Sequence, residues 1–140
     1  MAEGNAVQFE LVSPEQLLLS EEVEMVVVPG SEGDFGVLPG HAPAISTVRP
    51  GVLHVFTNGS VSSRIFVAGG FAEVTGERCT VLAEEAVPVE DIDRGQTEQE
   101  LQDAIEDIGD AGDIVEKSNA EQRALTARAK LAALDAPQYQ

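Results

Sequence analysis

Four glycines fall within eleven residues, at Gly30, Gly33, Gly36 and Gly40, and two histidines, His41 and His54, follow closely. Glycines at this density can cradle a phosphate, but a phosphate loop needs G-x-x-x-x-G-K-[ST] and a dinucleotide turn needs G-x-G-x-x-G. Neither pattern is present. In a strand-rich setting such glycines serve turns and bulges. The histidines are thirteen positions apart with no Cys or other His close by, so a metal would need carboxylates from distant segments and is not expected. Cys79 alternates with Val81 and Ala83, the pattern of a small buried apolar residue rather than a reactive thiol. Glu84-Glu85 and the acidic run at 90–93 supply paired carboxylates, yet they read as a solvated linker. There is no G-x-S-x-G. The residues point to no catalytic set, no cofactor and no metal.

The elements around them divide into two textures. Up to about residue 86, Val, Phe, Thr and Gly dominate. Val7, Phe9 and Leu11 alternate with Gln8 and Glu10, which predicts a half-buried strand. Val23–Val28 predicts a second. Val52–Thr57 and Val61–Val67 flank Asn58-Gly59, whose preference for positive φ predicts a type I′ hairpin. Phe71–Thr75 and Arg78–Ala83 flank Gly76-Glu77 and predict another. Short strands with frequent turns indicate an all-β sandwich or barrel over residues 1–86.

Residues 87–140 read as a linker and a helical hairpin. Thr97 with Glu100 is the expected capping box of a first helix, carrying Leu101, Ala104, Ile105 and Ile108 on one face. Gly109 to Gly112 should break it. Asp113 with Glu116, or Ser118 with Glu121, can cap a second. There Ala120, Ala124, Ala127, Leu131 and Leu134 form a narrow seam suited to close packing. The fold class is therefore α+β: a β-sandwich, then an antiparallel helix pair.

Charge is uneven along the hairpin. Residues 90–116 carry eleven Asp and Glu against Arg94 alone, whereas 117–134 carry Lys117, Arg123, Arg128 and Lys130 against Glu121. Two readings are open: solvated faces that attract each other, or a basic helix able to dock on an acidic partner through Arg123, Arg128 and Lys130. The net charge of −17 argues against nucleic acid and against electrostatic docking on anionic lipid. The longest apolar run, Met25–Pro29, is far below the ~18 residues of a membrane span, so membrane association is expected only through another protein. Residues 1–20 hold three Glu and no Lys or Arg, unlike a secretory or transit leader.

Val28-Pro29-Gly30-Ser31-Glu32-Gly33-Asp34-Phe35-Gly36-Val37-Leu38-Pro39-Gly40-His41-Ala42-Pro43 resembles the signature of the ATP synthase epsilon family, called delta in mitochondria. Arg49–Leu53, Val67–Val74 and Thr80–Glu84 resemble the family's following blocks, in family order. The resemblance implies a sandwich of about ten strands and a two-helix hairpin. It implies a non-catalytic central-stalk subunit that binds gamma, rests on the c-ring, transiently meets alpha and beta, and couples proton flow to ATP synthesis. It also implies a peripheral position on the cytoplasmic face of the bacterial inner membrane. By position in the motif, Glu32, Gly33 and Asp34 face the c-ring, and His41 and Ala42 touch gamma. In many members the hairpin extends toward the catalytic head and restrains hydrolysis.

Some members bind ATP on the folded hairpin through I-D-x-x-R-A. Here Ile92-Asp93-Arg94-Gly95-Gln96-Thr97 keeps the first two positions, with Gln96 for the arginine and Thr97 for the alanine. Losing the guanidinium predicts no useful nucleotide affinity. From the residues alone, a free-standing acidic β-sandwich adaptor is the alternative function.

Overall fold

Alternation of apolar and polar residues decides most of the strands. The computed structural model describes residues 6–136. Eight strands come first: β1 (Val7–Val12), β2 (Leu17–Val23), β3 (Met25–Gly30), β4 (Gly33–Val37), β5 (Ala44–Thr47), β6 (Gly51–Thr57), β7 (Ser60–Val74) and β8 (Arg78–Pro88). A short 3-10 turn (Val89–Asp91) leads to α1 (Arg94–Asp110) and α2 (Ile114–Asp135).

The hydrogen-bonded order is β2-β1-β8-β7-β6-β3-β4, with β5 paired to β7. The first half of β7 pairs with β6, from Ser60 to Val67, and the second with β5, from Phe71 to Val74. At the division, Gly69 and Gly70 carry φ of 72° and 112°. A Cβ on Gly70 would lie 1.8 Å from the Leu82 carbonyl oxygen, so only glycine permits this crossing. Thus β7 serves both layers, and β8 accompanies it from Ile65 to Val74. One layer holds β5, β1 and β2; the other holds β6, β3 and β4. The strands number eight rather than the expected ten or so, because β7 and β8 each run through both layers.

Between the layers lies one apolar core: Val7, Phe9, Leu11, Val26, Val28, Leu53, Val55, Val67, Val81 and their neighbours. Its inward residues follow the period of two in β1, where Val7, Phe9 and Leu11 are buried.

Several expectations need correction. The strand expected at Val23–Val28 is broken: Val23 ends β2, and Glu24 turns the backbone into β3. The segments Val61–Val67 and Phe71–Thr75 are one strand. Glu84 and Glu85 lie within β8 rather than in a linker, because β8 runs on to Pro88. The hairpins at Asn58-Gly59 and at Gly76-Glu77 form as expected, with φ of 53° and 80° at the former.

The first helix starts earlier than its expected box. Asp93 is the N-cap, its carboxylate accepting from the Gln96 N–H at 2.9 Å. Thr97 is buried, and its hydroxyl donates to the Asp93 carbonyl oxygen at 2.7 Å. The Asp93 carboxylate satisfies a free helical N–H one turn before Thr97 could. Asp113 caps α2 at the Glu116 N–H, and Glu116 reaches back to the Gly112 N–H, each at 2.8 Å. Ala120, Ala124 and Ala127 of α2, like Ala104 and Thr97 of α1, are buried where the two helices pack together. Small residues there let the helices approach closely.

Candidate rotor-facing and partner-facing surfaces

Ser31 and Glu32 form the tip between β3 and β4. Gly30 pairs with Gly33, and Gly33 takes φ of 132°, a value that favours glycine. Glu32, Gly33 and Asp34 are all exposed. Gly30 and Gly36 do not carry positive φ and lie within paired strands rather than at the turn itself. A side chain on Gly30 would press on the Gly33 carbonyl oxygen and the Phe35 ring, both 2.9 Å away, so closeness explains it.

Arg49 fixes this tip. Its Nη1 donates to the Gly30 carbonyl oxygen at 2.6 Å, and its Nη2 meets the Asp34 carboxylate at 2.5 Å. Sequence reasoning missed Arg49 as a site residue. Its signal was rarity: the protein has eight Lys and Arg, and this one precedes Pro50-Gly51 beside an acidic turn.

The loop that follows β4 leaves the end of that strand opposite the tip and is tied to the β7–β8 turn. The Gly40 N–H donates to the Gly76 carbonyl oxygen at 2.8 Å, and the His41 N–H to the Leu38 carbonyl oxygen at 3.1 Å. The His41 ring is tilted against Phe35, with centroids 6.4 Å apart. Its Nδ1 lies 2.7 Å from the Ala42 carbonyl oxygen, to which the Nδ1–H tautomer donates. Glu32, Gly33 and Asp34 thus lie at the start of β4 and His41 and Ala42 in the loop beyond its end, and the structure links the two groups only through β4, whose Phe35 ring meets His41.

From that loop an apolar surface continues along β5 and β7. Register places Ile45 and Thr47 opposite Glu73 and Phe71, on the side away from buried Ala72 and Val74. Ile45 is 73% exposed and Phe71 45%, with exposed Leu38 nearby in sequence. An exposed apolar patch on an edge strand is the usual mark of a protein interface.

The three hairpin bases have different fates. Arg123 pairs with Asp107 of α1 at 2.7 Å, which fits the reading of mutually attracting helix faces. Arg128 is exposed. Lys130 instead turns toward the sandwich, where it ion-pairs with Glu85 and lies 5.8 Å from the centre of the Phe66 ring. It is not part of a solvated face. Arg94 pairs with Asp135 at the far end of α2, at 2.6 Å.

His54 and Cys79 have structural settings. His54 is buried on β6, across from Arg64. Burial lowers its pKa from 6.5, the Arg64 charge lowers it further, and Asp34 and a Val52 backbone hydrogen bond oppose the shift. Cys79 is buried, and burial pushes its thiol up to about 12. Among the described residues no three His, Cys, Asp or Glu side chains converge in a metal-holding arrangement. No helix among them is long and apolar enough to cross a membrane.

Residues 6–89 match the family model described as ATP synthase, Delta/Epsilon chain, beta-sandwich domain, and residues 93–139 match the model for the C-terminal domain of the ATP synthase epsilon subunit. The ATP synthase epsilon chain of Rhodospirillum rubrum is 54% identical over 130 residues, covering 93% of this protein and 97% of that one. That of Rhodospirillum centenum is 55% identical over 133 residues, covering 91% of each. Among solved structures, a subunit of the Euglena gracilis mitochondrial ATP synthase (OSCP/F1/c-ring in rotational state 1) superposes with a TM-score of 0.80. It has 26% identity and covers 96% of this protein and 86% of its own length. A subunit of the Tetrahymena thermophila mitochondrial ATP synthase central stalk and c-ring shares the fold, with a TM-score of 0.60 and 16% identity over 91% of this protein.

Proposed function

This chain belongs to the epsilon family of ATP synthase, and from that premise we propose that it is a non-catalytic subunit of the central stalk, coupling proton flow to ATP synthesis. One observation carries the reading beyond family membership. The acidic tip at Glu32–Asp34, braced by Arg49, opens β4, and the His41–Ala42 loop leaves its other end, so the two ends of one short strand can meet two partners at once.

In this reading the Glu32–Gly33–Asp34 tip faces the c-ring, presenting fixed carboxylate and backbone groups to a polar surface. His41 and Ala42 touch gamma, and the apolar surface at Ile45 and Phe71 extends that contact. The division of labour follows the two parts: residues 1–86 bind the rotor, and 87–140 form the linker and hairpin. The hairpin restrains hydrolysis by meeting alpha and beta transiently, with Arg123, Arg128 and Lys130 as its bases. The subunit is peripheral, on the cytoplasmic face of the bacterial inner membrane.

Co-purification tests the reading. The tagged protein should bring down gamma and the catalytic head, and Ile45→Glu should reduce that recovery. Recovery of the tagged protein alone would support a free-standing adaptor instead. Deleting residues 88–140 should raise ATP hydrolysis if the hairpin restrains it, and unchanged hydrolysis would leave it a structural role.

A further inference from the structure

Lys130 is covered as no other ion-paired base among the described residues is. Its side chain is 13% exposed, whereas Arg49, Arg78, Arg94 and Arg123 are 42% to 53% exposed. It joins α2 to Glu85 of β8 and stands over Phe66 of β7, which is fully buried. A second polar link runs alongside: Arg64 Nη2 of β7 donates to the Ala133 carbonyl oxygen of α2 at 3.1 Å.

The apolar part of this junction is thin. Its buried members are Phe66, Ala68 and Ala133, with Val52, Val87, Ile92 and Ala129 partly covered against them. On the helix side these are alanines, which bury little area. An ammonium shielded from water needs its partner while the helix is seated. Once the helix leaves, both Lys130 and Glu85 regain water, so release strands no buried charge.

We infer that the Lys130–Glu85 pair over Phe66 is an internal latch that closes the hairpin onto the sandwich without a bound ligand. The inference rests on the central-stalk reading only for its consequence in the enzyme. Space and charge both disfavour a ligand in its place. The cleft beside Lys130, lined by Asp93, Gln96 and Thr97, holds about 180 Å³, below the ~300 Å³ of ordinary small-molecule sites. The neighbouring groove of about 630 Å³ gathers Glu84, Glu85, Glu100 and Asp103 around Arg123 and Lys130. Both bases are already paired there, so the groove repels a polyphosphate. A partner that draws α2 away must therefore compete with Glu85 for Lys130.

The test uses the full-length protein with spin labels at Glu22→Cys and Ala132→Cys, both exposed positions, and distances from pulsed electron paramagnetic resonance. The parent should show one narrow distance without nucleotide. Glu85→Gln and Lys130→Met should each raise the long-distance population roughly fivefold or more, the scale of one half-buried pair. The charge swap Glu85→Lys with Lys130→Glu should restore the narrow distance. Single variants that leave the distribution unchanged, a swap no better than either single, or a narrow distance that needs Mg–ATP would overturn the latch. Protection of the Cys79 thiol in the unlabelled variants verifies the sandwich. Recovery of the same variants with gamma tests the central-stalk reading separately.

Discussion

Arg49 and Asp34 are joined at 2.5 Å across the base of the acidic tip, while the same guanidinium holds the Gly30 carbonyl oxygen at 2.6 Å. The arginine thus fixes the backbone and the carboxylate of one turn together. It leaves Glu32 at the exposed apex.

Arg49→Met removes both bonds. The partners are 42% and 37% exposed, so stability should fall by no more than ~1 kcal/mol, or about 3–5 °C in Tm. Asp34→Lys adds a second cation beside Arg49 and should cost a similar amount. Proton-driven ATP synthesis in inverted membrane vesicles should fall well beyond what that loss of stability accounts for. Wild-type synthesis rates in both variants would remove the tip from the coupling surface.

Ile45→Glu should leave the urea midpoint of the isolated subunit almost unchanged, because its side chain is 73% exposed. Binding to purified gamma should weaken by tenfold or more, as expected for about 1.4 kcal/mol at an apolar contact. Equal affinity by surface plasmon resonance would place the gamma contact elsewhere.

Gly70→Ala should be the most damaging single methyl in the sandwich. The backbone there has φ of 112°, and the new Cβ would lie 1.8 Å from the Leu82 carbonyl oxygen. A loss on the order of 3 kcal/mol or more in urea denaturation is expected. Gly109→Ala, in α1 with open space around it, should stabilise by up to ~1 kcal/mol. A tolerated Gly70→Ala would mean β7 does not cross between layers there.

His54 should make stability fall with acid. Its folded pKa lies below 6.5, so the unfolded protein takes up the proton first as pH drops through about 6.5. The stabilisation is whole above that pH and is lost progressively toward the folded value. His54→Asn should flatten this part of the profile. The quantity that reads this is the difference in slope between variant and parent. Superimposable slopes would show that His54 does not titrate in this window.

Cys79 should resist thiol reagents at pH 8 until the sandwich opens, since burial holds its pKa near 12. Its modification rate should follow urea-induced opening. Rapid labelling of the native protein would place the thiol outside the core.

Regular alternation made β1 and the hairpin at Asn58-Gly59 legible, because one face of each strand meets the core. β2 was missed: its Leu17, Leu18 and Leu19 are all at least partly exposed, so its apolar run has no simple period. β7 was split at Gly69-Gly70 because glycines usually end strands, and a crossing between layers is visible only with Leu82 in place. At the candidate site, the motif brought out Glu32, Asp34 and His41. Arg49, Glu85 and Phe66 became visible only through pairings between segments distant in sequence. Thr97 misled for a local reason: a threonine before a glutamate looks like a cap, but an aspartate four positions earlier already filled that role.

The continuity of β7 has a mechanical meaning. Its first half carries Phe66 and Arg64, where the hairpin is anchored, and its second half carries Phe71 on the exposed apolar face. Between them runs unbroken covalent backbone, reinforced along its length by β8. A pull between those two sites would load that covalent backbone rather than contacts between side chains. The strand is built as a tie-rod that bends at Gly69 and Gly70.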